Sequence, residues 1–158
     1  GKTMAKIFLY STYQKILYSY LSKSTNDDIK AIALKSIKEV DYHFKHSRAW
    51  VLRLGDGTKE SKVKMQDSID ELWRFTGEIF ESDDVENNLI SENIITASNT
   101  YFNEWSKTVK ETLEEALLTE PLNVVMLTGG KKGLHTEKLG FMLAEMQYLP
   151  RTYPNAKW

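Results

Sequence analysis

The chain has 158 residues, 41% of them apolar, which suits one hydrophobic core and a single domain over 1–158. With 21 basic against 22 acidic residues its formal net charge is −1, a balance that argues against bulk-charge binding to nucleic acid or to an anionic membrane. Cysteine is absent, which excludes disulfides, Cys-ligated zinc, iron–sulfur clusters and a thiol nucleophile, and apolar runs such as Val124 to Leu127 are too short to span a bilayer.

Only 3 prolines and 8 glycines occur, and they cluster, so long stretches lack breakers. Without a period-2 alternation, this predicts an all-α protein of about five helices. The first covers about Thr3 to Ser22, with Met4, Ile7, Phe8, Tyr13, Ile16, Leu17, Tyr20 and Leu21 on its apolar face. Asn26 or Asp27 caps the second, from about Asp28 to Leu54, whose stripe is Ile29, Ala33, Ile37, Val40, Phe44, Val51 and Leu54. Gly55 is expected to end it in the left-handed conformation. A third covers Lys59 to Phe80, with Met65, Ile69, Leu72, Trp73, Thr76 and Ile79 inward and Gly77 as a weak point. Ser82 to Thr96 reads as an irregular connection. A fourth helix covers Asn99 to Leu118, with Phe102, Trp105, Val109, Leu113 and Ala116 inward. After a loop from Thr119 to Lys132, the last covers Leu134 to Leu149, with Leu139, Met142, Leu143, Met146 and Leu149 inward and Pro150 as its stop.

Two places carry residues suited to chemistry. On the second helix Lys35, Glu39, His43 and His46 follow one another at steps of three and four, which shares them along one face. If any metal binds, Glu39, His43 and His46, with Glu145 of the last helix, are the candidate ligands. Di-metal carboxylate bundles need Glu-x-x-His, because i and i+3 converge on one ion. Here Tyr42 follows Glu39 and Tyr148 follows Glu145 at that step. The plainer reading is a Lys35–Glu39 helix-face ion pair. The second place is Gly129-Gly130-Lys131-Lys132-Gly133 ahead of a helix start, where backbone N–H groups and lysines can hold a phosphate. It lacks the Walker A spacing, and the plainer reading is a flexible linker with His135 or Thr136 helping to cap the helix. His135-x-Glu137 has no cysteine partners for a deaminase zinc, and no serine sits in a nucleophile elbow.

The run from Gly129 to Gly140, continuing through Met142-Leu143-Ala144-Glu145-Met146-Gln147-Tyr148-Leu149, resembles the C-terminal signature of the phenylacetic acid catabolic family, and within it the C-type subunits of bacterial multicomponent epoxidases. Ala33 to Trp50, Arg53 to Thr58, Leu72 to Phe80 and Tyr153 to Trp158 are similar to the same subunits. The resemblance implies a ferritin-like helical bundle. It also implies a non-catalytic, structural, cytoplasmic subunit for phenylacetate catabolism. In that setting the chain binds no cofactor itself, and the di-iron centre and the CoA thioester belong to a catalytic A-type partner subunit. From the glycine–lysine loop itself comes the expectation that Lys131 or Lys132 lies near the phosphates of coenzyme A. Family members carry an N-terminal helical hairpin ahead of the segment that starts here, and Gly1-Lys2-Thr3-Met4 is not a natural start, so the expectation is a segment or short form. Its uncovered apolar face predicts a homo-oligomer or a complex with the A-type subunit, with the first two helices and their aromatics in the contact. The alternatives are a self-standing di-metal oxygenase and a repurposed helical interaction module.

Overall fold

The computed structural model describes residues 1–157. They form helices α1 (Lys2–Leu21), α2 (Asp27–Gly55), α3 (Lys59–Trp73), α4 (Asp84–Ser91), α5 (Phe102–Glu115), α6 (Lys138–Met146) and α7 (Tyr148–Thr152), with 3-10 turns at Gly77–Phe80, Ser98–Tyr101 and Gly130–Lys132. No strand occurs among the described residues. The all-α expectation is met, and it is consistent with the ferritin-like bundle that the resemblance implies. The chain divides into two compact units, 1–127 and 128–158.

In the first unit α1 is the hub, packed on α2, α3 and α5. That explains why its buried residues run round the helix: Ala5, Phe8, Leu9, Ser11, Thr12, Tyr13 and Ile16. Residues inside a helix hub must be small or self-satisfied where they are polar. Thr12 Oγ1 donates to the Phe8 carbonyl at 2.7 Å, Ser47 Oγ to the His43 carbonyl at 2.7 Å, and the Ser11 and Ser47 hydroxyls meet at 3.3 Å. These hydroxyls let α1 and α2 approach without an orphaned polar atom.

Phe8, Val51, Met65, Ile69, Tyr101, Trp105, Val109 and Leu113 make the centre of the core. Trp105 is 2% exposed, and its indole N–H donates to the Leu9 carbonyl at 2.9 Å. Burial of such a side chain stabilises by about 1.5–3 kcal/mol. The expected stripes of α2, α3 and α5 fall inward at Ala33, Val40, Val51, Met65, Ile69, Trp73, Val109, Leu113 and Ala116. Phe102, expected inward, is 47% exposed because the helix starts there and its first turn faces outward, against Phe80.

Several element ends differ from expectation. Asn26 caps α2, its side chain accepting from the N–H groups of Asp28 and Ile29. Gly55 is the last residue of α2 and does not take a positive φ; Asp56 follows as the cap. Glycine is required at 55 for space, since a Cβ there would lie 2.3 Å from the Ala116 carbonyl oxygen. The third helix stops at Trp73, not Phe80. There the Thr76 hydroxyl and N–H both take the Trp73 carbonyl, and the Leu127 N–H reaches the Arg74 carbonyl at 2.8 Å. Asp83 and Glu86 close a reciprocal capping box, so Asp84–Ser91 is a helix where an irregular connection was expected.

In the second unit α6 and α7 replace the single last helix. Met142, Leu143, Met146 and Leu149, expected inward, are 38–69% exposed. Pro150 lies inside α7 rather than ending a helix. As the third residue of α7 it needs no N–H partner, because first-turn amides have none within the helix.

Candidate functional site

The long helix α2 offers the clearest cluster of candidate residues. Its 3.6-residue period carries Glu39, Tyr42, His46, Trp50 and Arg53 along one outward stripe. The rings of Tyr42 and His46 stack at 5.9 Å and 24°, His46 meets Trp50 edge-on at 6.5 Å, and the Arg53 guanidinium lies 5.7 Å over the Trp50 ring. Tyr42 is 64% exposed and Trp50 39%. His46 is held in this aromatic ladder, and His43, whose ring lies 6.1 Å from that of Tyr42, also lines a groove against α1 and α3.

Glu39, His43 and His46 do not converge on one point. Among the described residues, no group of three or more His, Cys, Asp or Glu side chains is placed to hold a metal ion. Glu145 lies in α6, in the second unit. On α2 the i,i+4 ion pair forms at Asp41–Lys45 rather than at the expected Lys35–Glu39. Asp41 also takes Lys15 of α1 at 2.8 Å. The two ammonium groups hold its carboxyl below the usual range, Lys15 contributing first.

The groove beside His43 has a volume of about 440 Å³ and is walled by Ile7, Leu9 and Tyr10 of α1 with Leu72, Phe75 and Ile79. Lys6 and His43 are its ionisable lining groups, with Tyr10 at its wall. It is an apolar recess without a carboxylate, and it holds no acid–base pair for catalysis.

The glycine–lysine loop belongs to the second unit. Gly129 and Gly133 both take left-handed φ, at 89° and 84°, and bracket the 3-10 turn Gly130–Lys132. A Cβ on Gly129 would in addition lie 2.7 Å from Leu134 Cδ1. The N–H groups of Lys132, Gly133 and Leu134 donate back to the carbonyls of Gly129 and Gly130. Those three amides are used within the loop, and the side chains of Lys131 and Lys132 are exposed. Residues 134–137 separate the loop from α6, whose N-cap Glu137 makes no side-chain capping bond, so neither His135 nor Thr136 caps it by side chain. The signal that could have identified the aromatic ladder lies in the sequence itself, as Tyr42, His46 and Trp50 recur every four residues.

No helix among the described residues is long and apolar enough to cross a membrane. The family model "Phenylacetic acid catabolic protein" matches residues 1–158. The C-type subunit of 1,2-phenylacetyl-CoA epoxidase from Escherichia coli (strain K12) is 43% identical over 156 residues, which are 99% of this chain and 63% of that protein. The chain thus spans a little under two thirds of the length of the curated relative it matches. By the match over its full length, the chain belongs to the phenylacetic acid catabolic protein family.

Proposed function

We propose that the chain acts as a non-catalytic structural subunit supporting the di-iron catalytic subunit of a phenylacetyl-CoA monooxygenase (epoxidase) in the cytoplasm. The observation that carries this reading is the 43% identity, across nearly the whole chain, to the C-type subunit of such an epoxidase. The residues support it: Tyr42 and Tyr148 stand at the i+3 positions where a bundle metal site needs histidine. In this reading the iron and the CoA thioester are held by the catalytic A-type partner. This chain's own part is to hold that partner's helices in shape, and to set Lys131 and Lys132 near the CoA phosphates.

Co-expression with an A-type subunit tests the role. The expected result is a stable complex in which iron stays with the partner when the two are separated. One or two irons per chain in the isolated protein, lost on Glu39→Ala, would overturn it in favour of a self-standing oxygenase. For the lysines, Lys131→Ala with Lys132→Ala is expected to weaken the complex's affinity for a CoA ester, more so at low salt. Unchanged affinity removes them from the site.

A further inference from the structure

The interior of the first unit holds an unbroken file of aromatic rings. Trp73 lies 5.7 Å from Trp105, Trp105 5.4 Å from Phe80, and Phe80 5.5 Å from Tyr13. Tyr13 lies 6.3 Å from Tyr101, and Tyr101 4.8 Å from Tyr20. Indoles and phenols are the side chains of a cysteine-free chain that most readily give up a single electron. Phe80 is the one ring of the file that does not, and it bridges Trp105 and Tyr13 by close contacts on both sides. The proton partners differ along the file. The Trp105 N–H and the Tyr101 hydroxyl donate to the backbone carbonyls of Leu9 and Thr96, and Tyr13 has the Ser98 hydroxyl beside it. None of these partners is a base. Tyr20 instead donates to a carboxylate, that of Glu104, at 2.7 Å. A phenol that loses an electron becomes a strong acid, so the electron leaves readily only where a positioned base can take the proton.

We propose that this file is an electron-hole relay, which passes a one-electron oxidation of Trp73 or Trp105 to Tyr20, with Glu104 taking the phenol proton. An outer-sphere one-electron oxidant, of the cobalt(III) ammine or inorganic radical class, takes one electron from an indole and leaves the indole radical cation. An electron from Tyr20 refills that indole through Tyr101, Tyr13 and Phe80. The Tyr20 O–H bond breaks, its proton passes to the Glu104 carboxylate, and a neutral tyrosyl radical remains beside a neutral carboxyl. The Lys23 ammonium, 5.7 Å over the Tyr20 ring, therefore meets no second positive charge. Before oxidation the same hydrogen bond keeps the proton on the phenol, and it is the first cause that holds the Tyr20 pKa above its usual value. Burial raises Tyr13 and Tyr101 too, and their partners cannot accept a proton, so the hole does not come to rest on them. The effect is to move an oxidising equivalent off the buried indoles, whose chemical loss would disrupt the core they pack. All these rings and Glu104 lie within residues 1–127, so the relay rests neither on the proposed subunit role nor on what covers the outer faces of the helices.

Flash photolysis of the full chain tests it, with folding of each variant checked by circular dichroism. Trp50→Phe and Trp158→Phe are present in every sample, so that Trp73 and Trp105 are the remaining indoles. Light that indoles absorb and phenols do not ejects the electron, and a cobalt(III) ammine in solution takes it up and becomes cobalt(II). The expected result is an indole radical signal that decays as a tyrosyl signal rises, at a rate independent of protein concentration. Tyr20→Phe removes only the hydroxyl and is expected to abolish that rise. Glu104→Gln leaves the phenol a hydrogen-bond acceptor but no base, and is expected to slow the rise about a hundredfold, the low end of what a positioned base contributes. Tyr18→Phe, on the same helix but outside the file, is expected to leave the rise unchanged. No tyrosyl signal in the background protein, an equally fast rise in Tyr20→Phe, a Glu104→Gln rate equal to the background, or a rate proportional to protein concentration would each overturn the relay.

Discussion

The glycine at 55 and the tyrosine at 101 show how one side chain is fixed by its surroundings. Gly55 ends α2 where Ala116, just after α5, passes against it. Gly55→Ala would set a Cβ 2.3 Å from the Ala116 oxygen and 2.9 Å from its Cβ, and backbone cannot yield as a flexible side chain does. The expected cost is about 1–3 kcal/mol of overpacking, read as a lower denaturation midpoint at unchanged m-value. Had Gly55 been needed for a left-handed turn, Gly55→Asn would be milder than Gly55→Ala; with space as the constraint, the larger asparagine is the worse of the two. Tyr101 is fully buried, its hydroxyl donating to the Thr96 carbonyl at 2.7 Å. Burial first, and then the neighbouring Tyr13, push its pKa from 10.0 up to about 12. A group with a raised folded value binds its proton more tightly when folded. Its contribution is therefore intact below about pH 10 and is lost as pH rises from there through about 12. Tyr101→Phe is expected to be less stable than the wild type at pH 8, by about 1 kcal/mol for the lost hydrogen bond. Across the window from pH 10 to 12 that gap is expected to close. Chemical denaturation at several pH values measures it, and a constant gap would contradict the linkage.

At the scale of elements, α4 is a helix made by its cap. It buries no residue, yet Asp83 and Glu86 close the capping box at its start. Asp83→Ala is expected to cost α4 about 1 kcal/mol and to speed amide exchange across residues 84–91, with little change in the global midpoint because the core lies elsewhere. The pattern Asp83-x-x-Glu86 is visible in the sequence, but Val85, Leu89 and Ile90 behind it make too short an apolar repeat to stand out, and the segment reads as irregular. The reverse holds at α3, where Thr76 and Ile79 continue the apolar repeat past the point at which the Thr76 hydroxyl takes the Trp73 carbonyl and ends the helix. Periodicity identified the four main helices of the first unit and most of their inward faces, since a 3–4 repeat records burial directly. It could not distinguish a covered face from an uncovered one, and so Met142, Met146 and Leu149 were expected inside. The candidate site was legible to the same degree. Step counting places Glu39, His43 and His46 along one helix, but only the packing shows that His43 lines the groove while both imidazoles contact Tyr42. Tyr10 and Phe75, which wall the groove, come from helices and turns far apart in the sequence, and no local pattern joins them.

At the scale of the whole molecule, stability is unevenly divided. The core cluster runs from Ala5 to Leu118, all within residues 1–127. The ties that close that unit are internal to it as well: Lys2 pairs with Glu71, Arg48 with Glu115, and the Gln66 amide bonds to the Thr119 backbone in both directions. Residues 128–157 include no buried large side chain, although Phe141, Met142, Met146 and Tyr148 are all present there. A segment that buries so little apolar surface cannot offset the entropy of ordering about 30 residues, at about 1–2 kcal/mol of backbone entropy each. A chain ending at Leu127 is therefore expected to keep the near-ultraviolet signature of Trp73 and Trp105 and a cooperative transition within a few degrees of the full chain. A peptide of residues 128–158 is expected to be largely unfolded in water, with α6 and α7 below the length at which isolated helices hold. Loss of the cooperative transition in the truncated chain would contradict this division of stability. If the peptide were helical alone, its helices would draw on stability from outside the burial described for them.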